Sequence, residues 1–188
     1  MRIIAGNLGG FSLYLKKDKT TRPLKDSARE SIFNLITHSK KISFNLEQSN
    51  ILDLYAGTGS FGLECLSRKA KKVYFVENDI SAINILNKNI EKLEVKKFTH
   101  ILSGDVINVI KNNNFNLTFN LIFCDPPYKN SNIEKLIEMI SSKNLLKKDG
   151  LIILHRHKNT KDKLPSYLEI LEERLYGISK ISFLKFLL

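Results

Sequence analysis

From residue 51 onward, short apolar runs alternate with longer stretches in which apolar residues recur every three or four positions. Residues 51–54, 73–77, 98–102, 121–124 and 151–154 read as strands. Residues 61–67, 80–93, 106–110 and 133–140 read as helices, the second with Ile83, Leu86, Ile90 and Leu93 on one face. Strands that are apolar throughout and alternate with helices imply a parallel sheet covered on both faces. Beyond Pro165, residues 168–175 and 178–187 flank Tyr176-Gly177 and read as an antiparallel hairpin finishing the sheet. The expected fold is a doubly wound, mostly parallel α/β sheet of seven strands.

The first 50 residues have a different rhythm. Residues 1–15 suggest a small β-hairpin turning around Gly9-Gly10, and residues 16–25 are basic and polar, with Pro23 as a breaker. Asp26 or Ser27 is placed to cap a helix carrying Ile32, Phe33, Leu35 and Ile36. The 188 residues suit one domain. Within it, residues 1–45 form an N-terminal extension and residues 46–188 the ligand-binding core. No apolar run approaches a membrane span and no signal peptide is evident at the start. The expectation is a cytoplasmic protein without membrane contact. Cys65 and Cys124 form no paired motif and sit in apolar segments, so they read as small buried hydrophobes and no metal is expected.

Charge changes the picture. The net charge is +11, and it is uneven. Basic residues outnumber acidic ones 9 to 3 over residues 1–41 and 10 to 5 over residues 143–188, while residues 42–142 balance at 11 each. Lys outnumbers Arg 24 to 6, a bias an AT-rich genome also produces, but such a bias would spread evenly. An excess confined to the ends points to a polyanionic partner. Arg2, Lys16, Lys17, Arg22, Lys25 and Arg29 are the candidates to hold a nucleic-acid backbone.

In a doubly wound sheet, ligands bind beyond the carboxyl ends of the strands, and four strand ends carry unusual residues. The first is Asp53-Leu54-Tyr55-Ala56-Gly57-Thr58-Gly59-Ser60-Phe61-Gly62, a GxGxxG pattern that lets backbone approach a ligand closely. Asp53 beside that loop would repel a pyrophosphate and suit an ammonium. The second is Glu77, a carboxylate able to accept both hydroxyls of a ribose. The third is Gly104-Asp105, where Asp105 is either an acceptor for an adenine amine or the cap of the following helix. The fourth is Asp125-Pro126-Pro127-Tyr128. Its prolines fix a rigid turn, Asp125 and the Pro126 carbonyl can accept from one amino group, and Tyr128 can stack on a flipped base.

These motifs, in this order and spacing, resemble the class I methyltransferases that act on exocyclic amines of bases, Rossmann-like enzymes using S-adenosylmethionine. MRIIAG, TRPLKDSARESIFNLI and YGISKISFLKF bring the chain closer to the bacterial 16S rRNA guanine-N2 methyltransferases of the RsmD type, across nearly its whole length. The chain departs from that family at Leu24, where the family has a small hydroxyl residue, and at His155, where it has Glu. The resemblance implies that Asp53, Ala56, Gly57, Gly59, Glu77, Asn78, Asp105 and Val106 bind the cofactor. It further implies that Asp125, Pro126, Pro127 and Tyr128 hold the target amine, and that 16S rRNA or the small ribosomal subunit is the partner of a monomeric enzyme. An adenine-N6 methyltransferase shares the DPPY motif, and a non-catalytic RNA-binding module would keep the charge. A nicotinamide-dependent oxidoreductase would share GxGxxG and Glu77 but leaves Asp53 and DPPY without a role.

Overall fold

The computed structural model describes residues 1–16, 24–113, 115–127 and 132–187. Among them, α1 (Asp26–His38) precedes four repeats of strand and helix and a fifth strand: β1 (Asn50–Leu54), α2 (Ser60–Ser67), β2 (Lys72–Glu77), α3 (Ile80–Lys92), β3 (Thr99–Ser103), α4 (Val106–Asn112), β4 (Phe119–Cys124), α5 (Ile133–Ser142) and β5 (Leu146–His157). Two further strands, β6 (Leu168–Tyr176) and β7 (Ser179–Phe186), close the chain. The seven strands form one sheet in the order β3-β2-β1-β4-β5-β7-β6. Strands β1 to β5 pair in parallel, and β7 pairs antiparallel with both β5 and β6. This is the expected α/β architecture, and the strand order reverses direction between β1 and β4, which opens a crevice at their carboxyl ends.

The apolar runs follow from burial on two faces. Ile51, Val73, Phe75, Leu121, Phe123, Leu151 and Ile153 join one core with α1, α2 and α3. Leu52, Leu54, Val76, Ile122, Cys124, Ile152 and Leu154 join a second core with α4 and α5. On the first face Phe61 stacks on Phe123 with ring centroids 3.8 Å apart, and Phe33 stacks on Phe61 at 5.2 Å. Such pairs add about 0.5–1.5 kcal/mol each beyond the area they bury, which fixes α1 and α2 against the sheet centre.

The N-terminal stretch departs from the expected hairpin. One isolated antiparallel bridge joins Arg2 to Ser12, supported by Ile3 N–H to the Phe11 carbonyl and Gly10 N–H to the Ile3 carbonyl. The reason lies in competing acceptors. Ile4 and Ala5 donate their N–H groups to the Glu64 carboxylate of α2, at 2.7 and 3.1 Å, instead of to a partner strand. Leu8 N–H goes to the Ser67 hydroxyl and Tyr14 N–H to the Asn89 side chain. The stretch is thus stitched to α2 and α3 by side chains. Ile3, Leu13 and Leu24 sink into the first core beside Ile32, Phe33 and Ile36, so Leu24 occupies an apolar environment that suits it.

Two boundaries also differ. Neither Asp26 nor Ser27 caps α1: Lys25 stands at the N-cap without a side-chain bond, and Asp26 instead accepts from Arg29 at 3.1 Å. Strand β5 starts five residues earlier than its apolar run, because Leu146 pairs with Phe119 before a register shift and the polar residues between lie exposed on an extended backbone.

Candidate active site

Strand alternation decides which side chains meet. In β1, Asp53 lies two residues after Ile51; in β2, Glu77 lies two after Phe75. Asp125 follows Phe123 by two, and His155 follows Ile153 by two. Ile51, Phe75, Phe123 and Ile153 all belong to the same core. The period of two therefore sends Asp53, Glu77, Asp125 and His155 to one face at the carboxyl ends of four adjacent strands. Asp53 feels the negative fields of Asp125 and Glu77 directly, which places the three carboxyls in one neighbourhood.

Asp53 is buried, and its Oδ2 accepts from the Gly62 N–H at 3.0 Å. Burial holds its carboxyl well above the ordinary 3.8; the Gly62 N–H opposes this and the fields of Asp125 and Glu77 add to it. Between β1 and α2 the chain turns sharply through Tyr55 at φ 61°, Gly57 at φ 55° and Gly59 at φ 84°. Tyr55 is a non-glycine residue in the left-handed region, strain of a kind that concentrates at ligand sites. Its phenol is pushed up to about 12, mainly by burial. A Cβ built on Gly57 would meet nothing within 4 Å, so the loop presents open space there.

Glu77 turns its carboxylate onto this loop. Its Oε2 accepts from Gly57 N–H at 2.7 Å, and its Oε1 accepts from the N–H groups of Asn78 and Asp79, both at 2.9 Å. These contacts take three of the roughly four acceptor positions of a carboxylate, so a bound diol would exchange with at least one. Asp105 is the N-cap of α4, its Oδ1 accepting from Asn108 N–H at 3.0 Å. Val106 is buried beneath it, while Ala56 and Asn78 lie at the rim, half-buried and exposed.

The donor set fits S-adenosylmethionine better than a dinucleotide. The crevice carries carboxyls at Asp53, Glu77 and Asp125 around an open glycine turn. This is an environment for a sulfonium and an ammonium and an adverse one for a pyrophosphate.

At the fourth strand end, Asp125 follows β4, its N–H donating to the Leu54 carbonyl at 3.3 Å. Its Oδ1 lies 2.7 Å from His155 Nδ1. Pro126 is buried and Pro127 exposed. Tyr128 lies outside the described residues. Arg156, on the opposite face of β5, donates from Nη1 to the Pro127 carbonyl at 3.2 Å and reaches the Pro126 carbonyl at 3.5 Å. Asp162 holds the same guanidinium through two bonds of 2.9 and 3.1 Å. The turn is therefore gripped from both faces of β5. The Pro126 carbonyl, expected to be wholly available to a target amine, shares its surroundings with a buried guanidinium.

The basic candidates separate. Arg2 and Lys25 are exposed. Lys16 lies 2.5 Å from Asp79, a half-buried pair whose bond holds the Asp79 carboxyl below the usual range. Lys17 and Arg22 lie outside the described residues. Arg29 corrects the expectation: it is fully buried, donates to the Arg2 carbonyl and Asp26, and faces Glu64 at 3.9 Å. A helix position one turn in from the core, between Ala28 and Ile32, gives it no path to a polymer.

Three contributors, Arg156, Glu64 and Asn89, escaped the sequence, and a fourth, His155, was marked there only as a departure from the family pattern. His155 and Arg156 stand at the end of an apolar strand, where a charge running straight on from buried residues is itself a signal. Glu64 and Asn89 sit on the apolar faces of amphipathic helices, and that polar interruption is their trace. Both cysteines are free and buried, and burial raises both thiols.

The family model described as conserved hypothetical protein 95 matches residues 1–185. A Haemophilus influenzae protein named ribosomal RNA small subunit methyltransferase D is 32% identical over 179 residues, which cover 95% of this chain and 90% of its own. A Bacillus subtilis protein named as an rRNA methyltransferase is 31% identical over 98% of each chain. Among solved structures, a Haemophilus influenzae protein named as a methylase superposes with a TM-score of 0.79 at 30% identity, over 100% of this chain and 98% of that one.

Proposed function

The chain belongs to the conserved hypothetical protein 95 family, methyltransferases of the RsmD type with S-adenosylmethionine as cofactor, and from that premise we propose that it methylates the N2 amine of a guanine in small-subunit ribosomal RNA. The observation that carries this reading is Asp125. It stands on the same face as Asp53 and Glu77, partly exposed at the strand end, with Oδ1 held by His155. When bound, the cofactor supplies an electrophilic methyl group on a sulfonium. The protein's own residues supply the rest.

Asp53 balances the cofactor's ammonium, Gly57 and Gly59 admit its backbone beside Ala56, Glu77 and Asn78 take the ribose, and Asp105 with Val106 bounds the adenine. The amine of guanine is a weak nucleophile because its lone pair is delocalised into the ring. Asp125 accepts one of its N–H groups, pulling the nitrogen toward a tetrahedral form and turning its lone pair toward the methyl. Positioning of this kind supplies much of the acceleration, and the carboxylate offsets positive charge growing on nitrogen. Pro126 and Pro127 hold the turn rigid, and Tyr128 offers a ring for the extruded base to stack on. Arg2, Lys16 and Lys25, with Lys17 and Arg22, take the phosphates, which makes affinity fall with salt.

The test uses radiolabelled S-adenosylmethionine and small ribosomal subunits from cells lacking this gene, followed by nucleoside digestion and mass spectrometry. N2-methylguanosine is expected, and Asp125→Ala should slow its formation by about 100-fold or more, the scale seen when one pre-organised contact to developing charge is lost. Label in another methylated base would correct the base. No label in any RNA would overturn the reading.

A further inference from the structure

Asp125 can orient an amine only if it is itself held. Its side chain is 27% exposed, whereas that of His155 is 2% exposed. The parallel register of β4 and β5 pairs Cys124 with Leu154, so Asp125 and His155 are the next positions along. On its other side His155 pairs with Ile181 of β7. With strands paired on both sides of its backbone and its side chain almost wholly buried, the imidazole is packed into the sheet face at this strand end. Its Nδ1 meets Asp125 Oδ1 at 2.7 Å, a length typical of charge-assisted bonds.

We propose that His155 is a positioning residue for methyl transfer: donating from Nδ1, it fixes the Asp125 carboxylate in the one rotamer that directs Oδ2 at the target amine. The role rests on Asp125 being the amine acceptor. An Asp side chain at a strand end otherwise exchanges among staggered rotamers, and each wrong one removes the acceptor from the amine. An imidazole donor also leaves the carboxylate its charge to set against the nitrogen. The same turn is held from the opposite face by Arg156, but that contact reaches the proline carbonyls and leaves the Asp125 side chain unconstrained.

Two variants separate positioning from packing. Leu at 155 fills the space without a donor. Asn at 155 carries an amide nitrogen that can stand where Nδ1 stands. Methyl transfer to small subunits from cells lacking the gene is measured for kcat and KM, and S-adenosylhomocysteine binding is measured separately by calorimetry. His155→Leu is expected to lower kcat by about tenfold or more, the scale of a misplaced reacting group. KM for the subunits and the Kd for S-adenosylhomocysteine should stay within about twofold of the parent. His155→Asn is expected to recover at least about a third of the parent kcat. An unchanged kcat in His155→Leu overturns the role, as does a loss shared equally by Leu and Asn or a loss confined to KM or cofactor binding. If the parent protein methylates a base other than guanine, the same comparison on that base still decides. If the parent transfers no methyl group, the functional reading fails and the positioning role falls with it.

Discussion

Glu64 has no exposed surface, yet it holds the N-terminal stretch in place, and replacing it with Gln gives a direct measure of that hold. Oε2 accepts from Ile4 N–H at 2.7 Å; Oε1 accepts from Ala5 N–H at 3.1 Å and from Arg68 Nε at 2.8 Å. Every partner is a donor. Gln has the same shape but one oxygen becomes an NH2, and whichever way the amide is flipped that NH2 faces an N–H. One charge-assisted bond is lost, at about 1.5–3 kcal/mol. The donor it leaves behind is part-buried and unsatisfied, and buried Arg29, 3.9 Å from Oε2, loses one of its two acidic partners and keeps Asp26. Breaking a buried pair costs about 3–5 kcal/mol. Because the other oxygen keeps its contacts, the expected loss is about 3 kcal/mol. With a urea slope of about 2 kcal/mol per M, the unfolding midpoint should fall by about 1.5 M at unchanged slope. A shift below about 0.5 M would show that the carboxylate is not the anchor and that apolar packing of Ile3 and Leu13 suffices.

Asp53→Asn should remove a pH-dependent penalty. Burial raises the Asp53 carboxyl well above 3.8, so the folded state keeps a proton that the unfolded chain releases. Stability is therefore undiminished below that value and declines as pH rises toward the folded one. Urea midpoints from about pH 4 to about pH 8 should show the variant gaining on the parent as pH rises, while its S-adenosylhomocysteine affinity falls; parallel curves would refute the account. Gly59→Ala should lose about 2–5 kcal/mol, from left-handed backbone and overpacking together, because its Cβ would stand 2.2 Å from Leu86 Cδ1 at φ 84°. Gly57→Ala has room for its Cβ and should lose only about 1–2 kcal/mol, so calorimetric melting of the two should differ while both weaken cofactor binding.

The sheet was legible because β1 to β5 are buried on both faces, and short continuous apolar runs bounded by turns fit little besides buried strands. The four strand-end motifs were legible for the same reason: once the strands are placed, alternation assigns the face. What stayed hidden depends on partners distant in sequence. Residues 1–15 alternate like a hairpin, and nothing nearby reveals that Glu64 and Asn89 will take their N–H groups. Arg29 looks like its exposed neighbours because a single basic residue on a helix carries no mark of burial. His155 and Arg156 were visible as residues, but their contact with the Asp125-Pro126-Pro127 turn follows from the register of β4 on β5, which no local pattern states.

The stitched N-terminal stretch also sets an order of events during synthesis. Residues 1–16 leave the ribosome well before their anchors, which lie far along the chain: Glu64 is 60 residues from Ile4, Asn89 is 75 from Tyr14, and Lys92 is 80 from Ser12. A true hairpin would close in microseconds on its own. Here the local bonds around one Arg2–Ser12 bridge are few, and the anchoring contacts to α2 and α3 wait until those helices have emerged and settled on the sheet. The nascent chain therefore carries this basic stretch without its anchors until α3 has been made. For that interval the positive charge is exposed without the crevice that would put it to use.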